Sequence, residues 1–136
     1  MKLKNKSNQS YKECDIWIRG PKSDKTFVIT VKLNIIDKTD FSIILMYVDR
    51  NGIRYILRRY NGIHPHTNKI ERIKIRSFHI HTGTERYQMK FDEIDGYAEE
   101  TTLYNNWIDA FALMRSDCNL KGKDMLISQL TSIIRV

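Results

Sequence analysis

The stretch TFVITVKLNIIDKTDFSIILMYVDRNGIRYILRRY, residues 26–60, decides the fold. Phe27, Ile29, Val31, Leu33 and Ile35 alternate with Val28, Thr30, Lys32 and Asn34, which is the two-residue period of a half-buried strand. Asp37-Lys38-Thr39-Asp40 is a polar turn, after which Phe41, Ile43, Leu45 and Tyr47 resume the same period. Asn51-Gly52 favours a tight hairpin because both residue types tolerate positive φ. A third strand, Ile53 to Tyr60, should point Ile53, Tyr55 and Leu57 one way and Arg54, Ile56 and Arg58 the other, giving one basic face. Three antiparallel strands in a meander follow from this stretch alone.

Outward from it, Tyr11 to Ile18 reads as a short ambiguous element stopped by Gly20-Pro21, and residues 1–10, with Lys2, Lys4 and Lys6, as a flexible tail. Asn61 to His66 breaks the strand pattern through Gly62 and Pro65. Strand character returns over Glu71 to His81 as a fourth strand. Thr101-Thr102 should cap a helix running to Asp117, whose apolar positions Leu103, Trp107, Ala110, Phe111 and Met114 recur at three and four residues. Asp124 to Ile134 reads as a second short helix, although its apolar runs also suit a strand. The fold expected is α+β: one domain over residues 1–136, an antiparallel sheet of four to five strands with one or two C-terminal helices packed on one face. Trp17 and Trp107 read as core.

Composition narrows the function classes. At 136 residues the chain is one domain's worth, and 41% hydrophobic with 29% charged residues is globular rather than disordered. The longest uncharged apolar run, Phe41 to Val48, is far short of a bilayer helix, and no apolar signal core precedes it, so a cytoplasmic protein without a membrane partner is expected. Cys14 and Cys118 form no CxxC, which leaves neither a disulfide framework nor an all-cysteine zinc site. The net charge of +7 is uneven: residues 50–90 hold ten Lys/Arg against two Asp/Glu, and residues 91–136 hold four against eight. A basic middle segment fits a polyanion, nucleic acid above all, or an acidic protein surface.

All four histidines fall in that basic segment, as His64-Pro65-His66 and His79-Ile80-His81. On a strand, the i, i+2 spacing sends His79 and His81 to one face about 6–7 Å apart. Phe78 and Ile80 then face the core and the histidines face solvent. Cations at Arg72, Lys74 and Arg76 would lower the imidazole pKa, and a neutral imidazole is a base or a metal ligand. Three chemistries use such a pair: metal-free cleavage of RNA by an acid and a base, a metal held by three or four imidazoles, or a binding groove in which bases stack beside Tyr55, Tyr60 or Tyr87. Against them stands a plain structural role, each histidine bonding a backbone carbonyl. A site requires the 64–66 loop to fold over the 79–81 strand so that three imidazoles meet within about 8 Å, in reach of Arg59. Glu85 and Tyr87 are candidates to orient an imidazole; calcium loops, phosphate loops and nucleophile elbows are absent from the sequence.

The motifs Arg59-Tyr60-Asn61-Gly62, Pro65-His66-Thr67-Asn68, Phe78-His79-Ile80-His81, Glu85-Arg86-Tyr87, Gly96-Tyr97-Ala98-Glu99 and Cys118-Asn119-Leu120 resemble those of a small uncharacterised bacterial and phage family. More loosely, their order is similar to that of the TumE-type proteins of toxin–antitoxin modules. The resemblance covers residues 50–120 and implies Arg59, His66, Asn68, His79 and His81 as recurrent polar positions, without a mechanism; His64 and residues 70–77 depart from it. The expectation is therefore a toxin-like basic protein acting on RNA, a metal-independent ribonuclease with His79 and His81 as acid and base, His66 as third group and Arg59 as anion stabiliser. Arg58, Arg72, Lys74, Arg76, Tyr60, His64 and Asn68 would hold the nucleic acid, and no metal or cofactor is assigned. The alternative is a non-enzymatic module binding nucleic acid or protein, a phage inhibitor or antitoxin-like factor, and an antitoxin or target protein is the corresponding partner.

Overall fold

The computed structural model describes residues 11–19, 25–84, 87 and 96–120. Its main sheet is antiparallel and six-stranded, in the order β1 (Tyr11–Arg19), β2 (Thr26–Asn34), β3 (Phe41–Val48), β4 (Arg54–Asn61), β7 (His79–Thr82) and β8 (Ala98–Glu100). A separate hairpin joins β5 (His66–Asn68) to β6 (Ile73–Ile75). Helix α1 (Trp107–Asp117) packs across one face and buries Ala110, Phe111 and Met114 against Ile16, Ile29, Val31, Leu33, Ile43, Leu45 and Tyr60. The expected class stands, with a larger sheet than expected and α1 packed on one of its faces. No helix among the described residues is long and apolar enough to cross a membrane. The tail at 1–10 and the helix at 124–134 lie outside the described residues.

Several elements differ from the sequence reading for local physical reasons. The ambiguous segment at residue 11 is a nine-residue edge strand, and its Trp17 is 54% exposed beneath the Arg54 guanidinium rather than in the core. Trp107 is only partly buried at the core's margin. The register between β3 and β4 shifts between Leu45 and Met46, so Leu57 is an extra residue and the alternation reverses there. Arg54 and Arg58 consequently lie on opposite faces: Arg54 pairs with Asp15 at 3.1 Å, and Arg58 reaches Asp117 at 3.8 Å on the helix side. The expected single basic face of this strand does not form. Residues 71–81 are two strands in two sheets, separated by a bend at 76–78. The helix begins at Asn106, whose side chain accepts the Asp109 amide; Thr101 instead accepts the Leu103 amide in a local turn, leaving Leu103 70% exposed.

Two long-range contacts fix the end of β4. The buried Tyr104 hydroxyl lies 2.8 Å from the Asn61 carbonyl and 2.9 Å from the His79 carbonyl, bridging β4 and β7. Gly62 donates to the Phe41 carbonyl and Ile63 to the Thr39 carbonyl, which extends the β3–β4 pairing beyond the strand. A Cβ at Gly62 would sit 2.0 Å from the Thr39 oxygen and 2.9 Å from the Phe41 nitrogen, so only glycine permits this approach.

Truncating Phe111 to Ala should cost about 3–5 kcal/mol in urea unfolding, as expected for a fully buried aromatic. Gly62→Ala should lower the urea midpoint by more than Gly52→Ala; Gly52 has open space around it and loses only its φ of 82°, about 1–2 kcal/mol. Equal midpoints for the two glycine variants would contradict the close approach.

Candidate functional site

Strand register assembles the site. Across the face opposite α1, neighbouring strands align Glu13, Lys32, Ser42, Asn61, His79 and Glu100 in one row. The next row holds Thr30, Ile44, Arg59, His81 and Ala98. The β5–β6 hairpin leans over the β7–β8 end of these rows. Asn68 ties it down by donating to the Ala98 carbonyl at 2.8 Å and accepting the Ala98 amide at 2.9 Å, as a strand neighbour would. The hairpin brings His66 onto the face, and the chain after Gly62 brings His64.

Four imidazoles converge as a result. Ring centroids are 4.5 Å apart for His66 and His81, 5.0 Å for His79 and His81, 5.3 Å for His64 and His79, and 5.8 Å for His66 and His79. They line a cleft of about 450 Å³ together with Arg59, Asn61, Thr67, Lys69 and Gly96. The expected convergence beside Arg59 is present, but the expected exposure of the second pair is not: His79 and His81 are 0% and 4% exposed because the hairpin covers them.

Each histidine has a distinct set of bonds. His79 Nδ1 lies 2.7 Å from the Ser77 carbonyl, which can only accept, so Nδ1 carries the proton and Nε2 is left facing the Asn61 amide nitrogen at 3.5 Å. Burial pushes the His79 pKa below its ordinary value; the Ser77 carbonyl opposes this, and His64, His66 and Arg59 add to it. His66 Nε2 lies 2.9 Å from both Gly96 O and Asn68 Oδ1, so it is the donor, and Nδ1 has no hydrogen-bond partner among the described residues. His64 Nδ1 faces Asp40 Oδ1 at 3.3 Å, which leaves Nε2 without a hydrogen-bond partner among the described residues. Asp40 is itself held by the Tyr11 hydroxyl and by the Asn34 amide at 3.2 Å. A buffered carboxylate behind an imidazole fixes its tautomer and ring orientation.

The other sequence candidates scatter. Tyr60 is fully buried, stacked on Tyr104 and bonded to Asp117, and its phenol pKa is driven well up by burial, so no base can stack on it. Asn68 is buried and spends its amide on Ala98, and Tyr87 is buried with its hydroxyl on Glu71. Arg58 lies on the helix face with Asp117. Arg72, Lys74 and Arg76 are exposed on and beside β6, and none makes an ion pair among the described residues. Glu85 lies outside the described residues. Among the described residues no three His, Cys, Asp or Glu side chains are grouped as donors for one metal ion. Asp40, Asn61 and Lys69 were not singled out by the sequence reading. Asp40 was within reach of it, because the Gly52 hairpin sets residue 40 opposite the chain leaving β4.

No family model, curated protein or solved structure matches this chain. The chemistry therefore rests on the site itself.

Folded His79 binds a proton less readily than the unfolded chain does, so its contribution to stability is complete above its ordinary pKa of 6.5 and is lost as pH falls below it. In His79→Asn, whose amide can replace Nδ1–H toward Ser77, urea stability between pH 7.5 and 5.5 should fall less than in the parent protein. Parallel curves would contradict a desolvated, neutral His79.

Proposed function

We propose that this chain is a toxin-like ribonuclease that cleaves RNA without a metal, with His64 and His66 rather than His79 and His81 at the reacting atoms. The observation that carries the reading is the convergence of four imidazoles beside Arg59, in which His64 and His66 are partly open and each keeps one nitrogen without a hydrogen-bond partner among the described residues. In this scheme His64 Nε2 takes the proton of a ribose 2′-hydroxyl, and the 2′-oxygen attacks phosphorus. Protonated His66 gives its Nδ1 proton to the departing 5′-oxygen, leaving a 2′,3′-cyclic phosphate and a 5′-hydroxyl. Arg59 offsets the charge that gathers on the phosphoryl oxygens. Burial supports His79 and His81 as positioning residues that wall the open pair. The loose likeness to TumE-type proteins supports the toxin-like part of the reading; it carries no mechanism, and His64 departs from it.

One observation favours a second reading. Arg72, Lys74 and Arg76 form an exposed cationic edge on the β5–β6 hairpin that makes no ion pair among the described residues, which suits a module that only binds nucleic acid. In the ribonuclease reading the same edge tracks the RNA backbone.

Pure protein in excess chelator should cleave single-stranded RNA, and His64→Ala or His66→Ala should each lower kcat by about 10²-fold or more. Cleavage unchanged in both variants would overturn the assignment. Absence of cleavage, with binding lost when Arg72, Lys74 and Arg76 become Glu, would establish the binding module instead.

A further inference from the structure

His64 borders two clefts. Besides the histidine cleft, it closes one end of a second hollow of about 270 Å³ lined by Tyr11, Lys32, Asp40, Phe41 and Ser42. The two hollows lie along one row of the sheet, because Asn61 pairs with Ser42 and Ser42 with Lys32. From Asn61 to Lys32 is two interstrand spacings, about 10 Å, which is more than one phosphate group reaches. A ligand that touches both hollows must span that distance, as adjoining nucleotides of one strand do.

The second hollow has the groups to hold an anion. Lys32 is exposed, its ammonium sits 4.9 Å from the Tyr11 ring centroid, and it makes no ion pair among the described residues. Ser42 Oγ has no hydrogen-bond partner among the described residues and stands between Lys32 and Asn61. The carboxylate in this hollow, Asp40, is already covered by the Tyr11 hydroxyl, the Asn34 amide and His64, so its charge is not presented bare to an anion. Glu13, opposite Lys32 on β1, is exposed and makes no ion pair with it.

Resting on the ribonuclease reading, we infer that Lys32 and Ser42 form a second phosphate subsite, which holds the nucleotide next to the scissile bond. The substrate is then an RNA strand laid across the sheet, with its cut phosphate by Arg59 and His66, His64 at the division, and the neighbouring phosphate on Lys32. Lys32 acts as a point charge on a flexible stem, and its contribution should weaken with salt.

The test compares two substrates with one cleavable bond each: a ribonucleotide joined to one deoxynucleotide, and the same pair extended by a deoxynucleotide on each side, with all four bases at the ribonucleotide. The parent protein should cleave the tetranucleotide with a kcat/KM about tenfold higher, mainly through KM. In Lys32→Ala that advantage should vanish, and in Lys32→Arg it should persist. Equal kcat/KM for both substrates in the parent, or an equal loss on both in Lys32→Ala, would overturn the subsite. If neither is cleaved, the ribonuclease reading falls, and titration with the all-deoxy tetranucleotide and dinucleotide decides the subsite. Tighter tetranucleotide binding that Lys32→Ala abolishes keeps it; equal binding in both proteins removes it.

Discussion

A single buried hydroxyl sets the frame for this site. Tyr104, from the segment before α1, places its phenol between the carbonyls of Asn61 and His79 and so holds the end of β4 against the start of β7. The register it secures, Asn61 opposite His79 and Arg59 opposite His81, puts a cation and two imidazoles on the face that α1 does not cover. Strand alternation then sends Tyr60 and Ile80 to the other face, where they join the core. A shift of one residue would exchange the two sets.

Burial divides the four histidines into two kinds. His79 and His81 lie under the β5–β6 hairpin, and desolvation lowers the His79 pKa, favouring its uncharged form beside its neighbours and Arg59. His64 and His66 are seated on chain segments above them, each anchored through one nitrogen by an acceptor from elsewhere in the fold: Asp40 for His64, Gly96 O and Asn68 Oδ1 for His66. The anchoring fixes which nitrogen each ring presents to the cleft. Packing two rings tightly so that two others stand in fixed orientation is preorganisation in its simplest form.

Much of the architecture could be read from the sequence, because residues 26–60 alternate over two long strands and Asn51-Gly52 marks their turn. What escaped reading was set by distant residues. The bulge at Leu45 and Met46 falls in the apolar run opposite Ile56-Leu57, without a glycine to mark it, and it moved Arg58 to the helix face. Residues 71–81 show one strand period, yet the bend at 76–78 contains neither Gly nor Pro and splits them between two sheets. The spacing of the histidines named convergence beside Arg59 as the condition for a site, and strand alternation put His79 and His81 on one face. Their burial did not, since it depends on Asn68 mimicking a strand neighbour of Ala98. Asp40 and Tyr104 act on residues 24 and 25 or more positions away, a distance at which spacing carries no signal.

On the proposed reading, a phosphate in the cleft meets His64 and His66 and not the buried His79. Nitrogen-15 NMR of the imidazoles, recorded while a nucleoside 3′-monophosphate is titrated in, tests it most directly. Large shifts are expected at His64 Nε2 and His66 Nδ1, with His79 remaining the neutral Nδ1–H tautomer throughout. Shifts confined to His79 and His81, or none at any of the four rings, would contradict it.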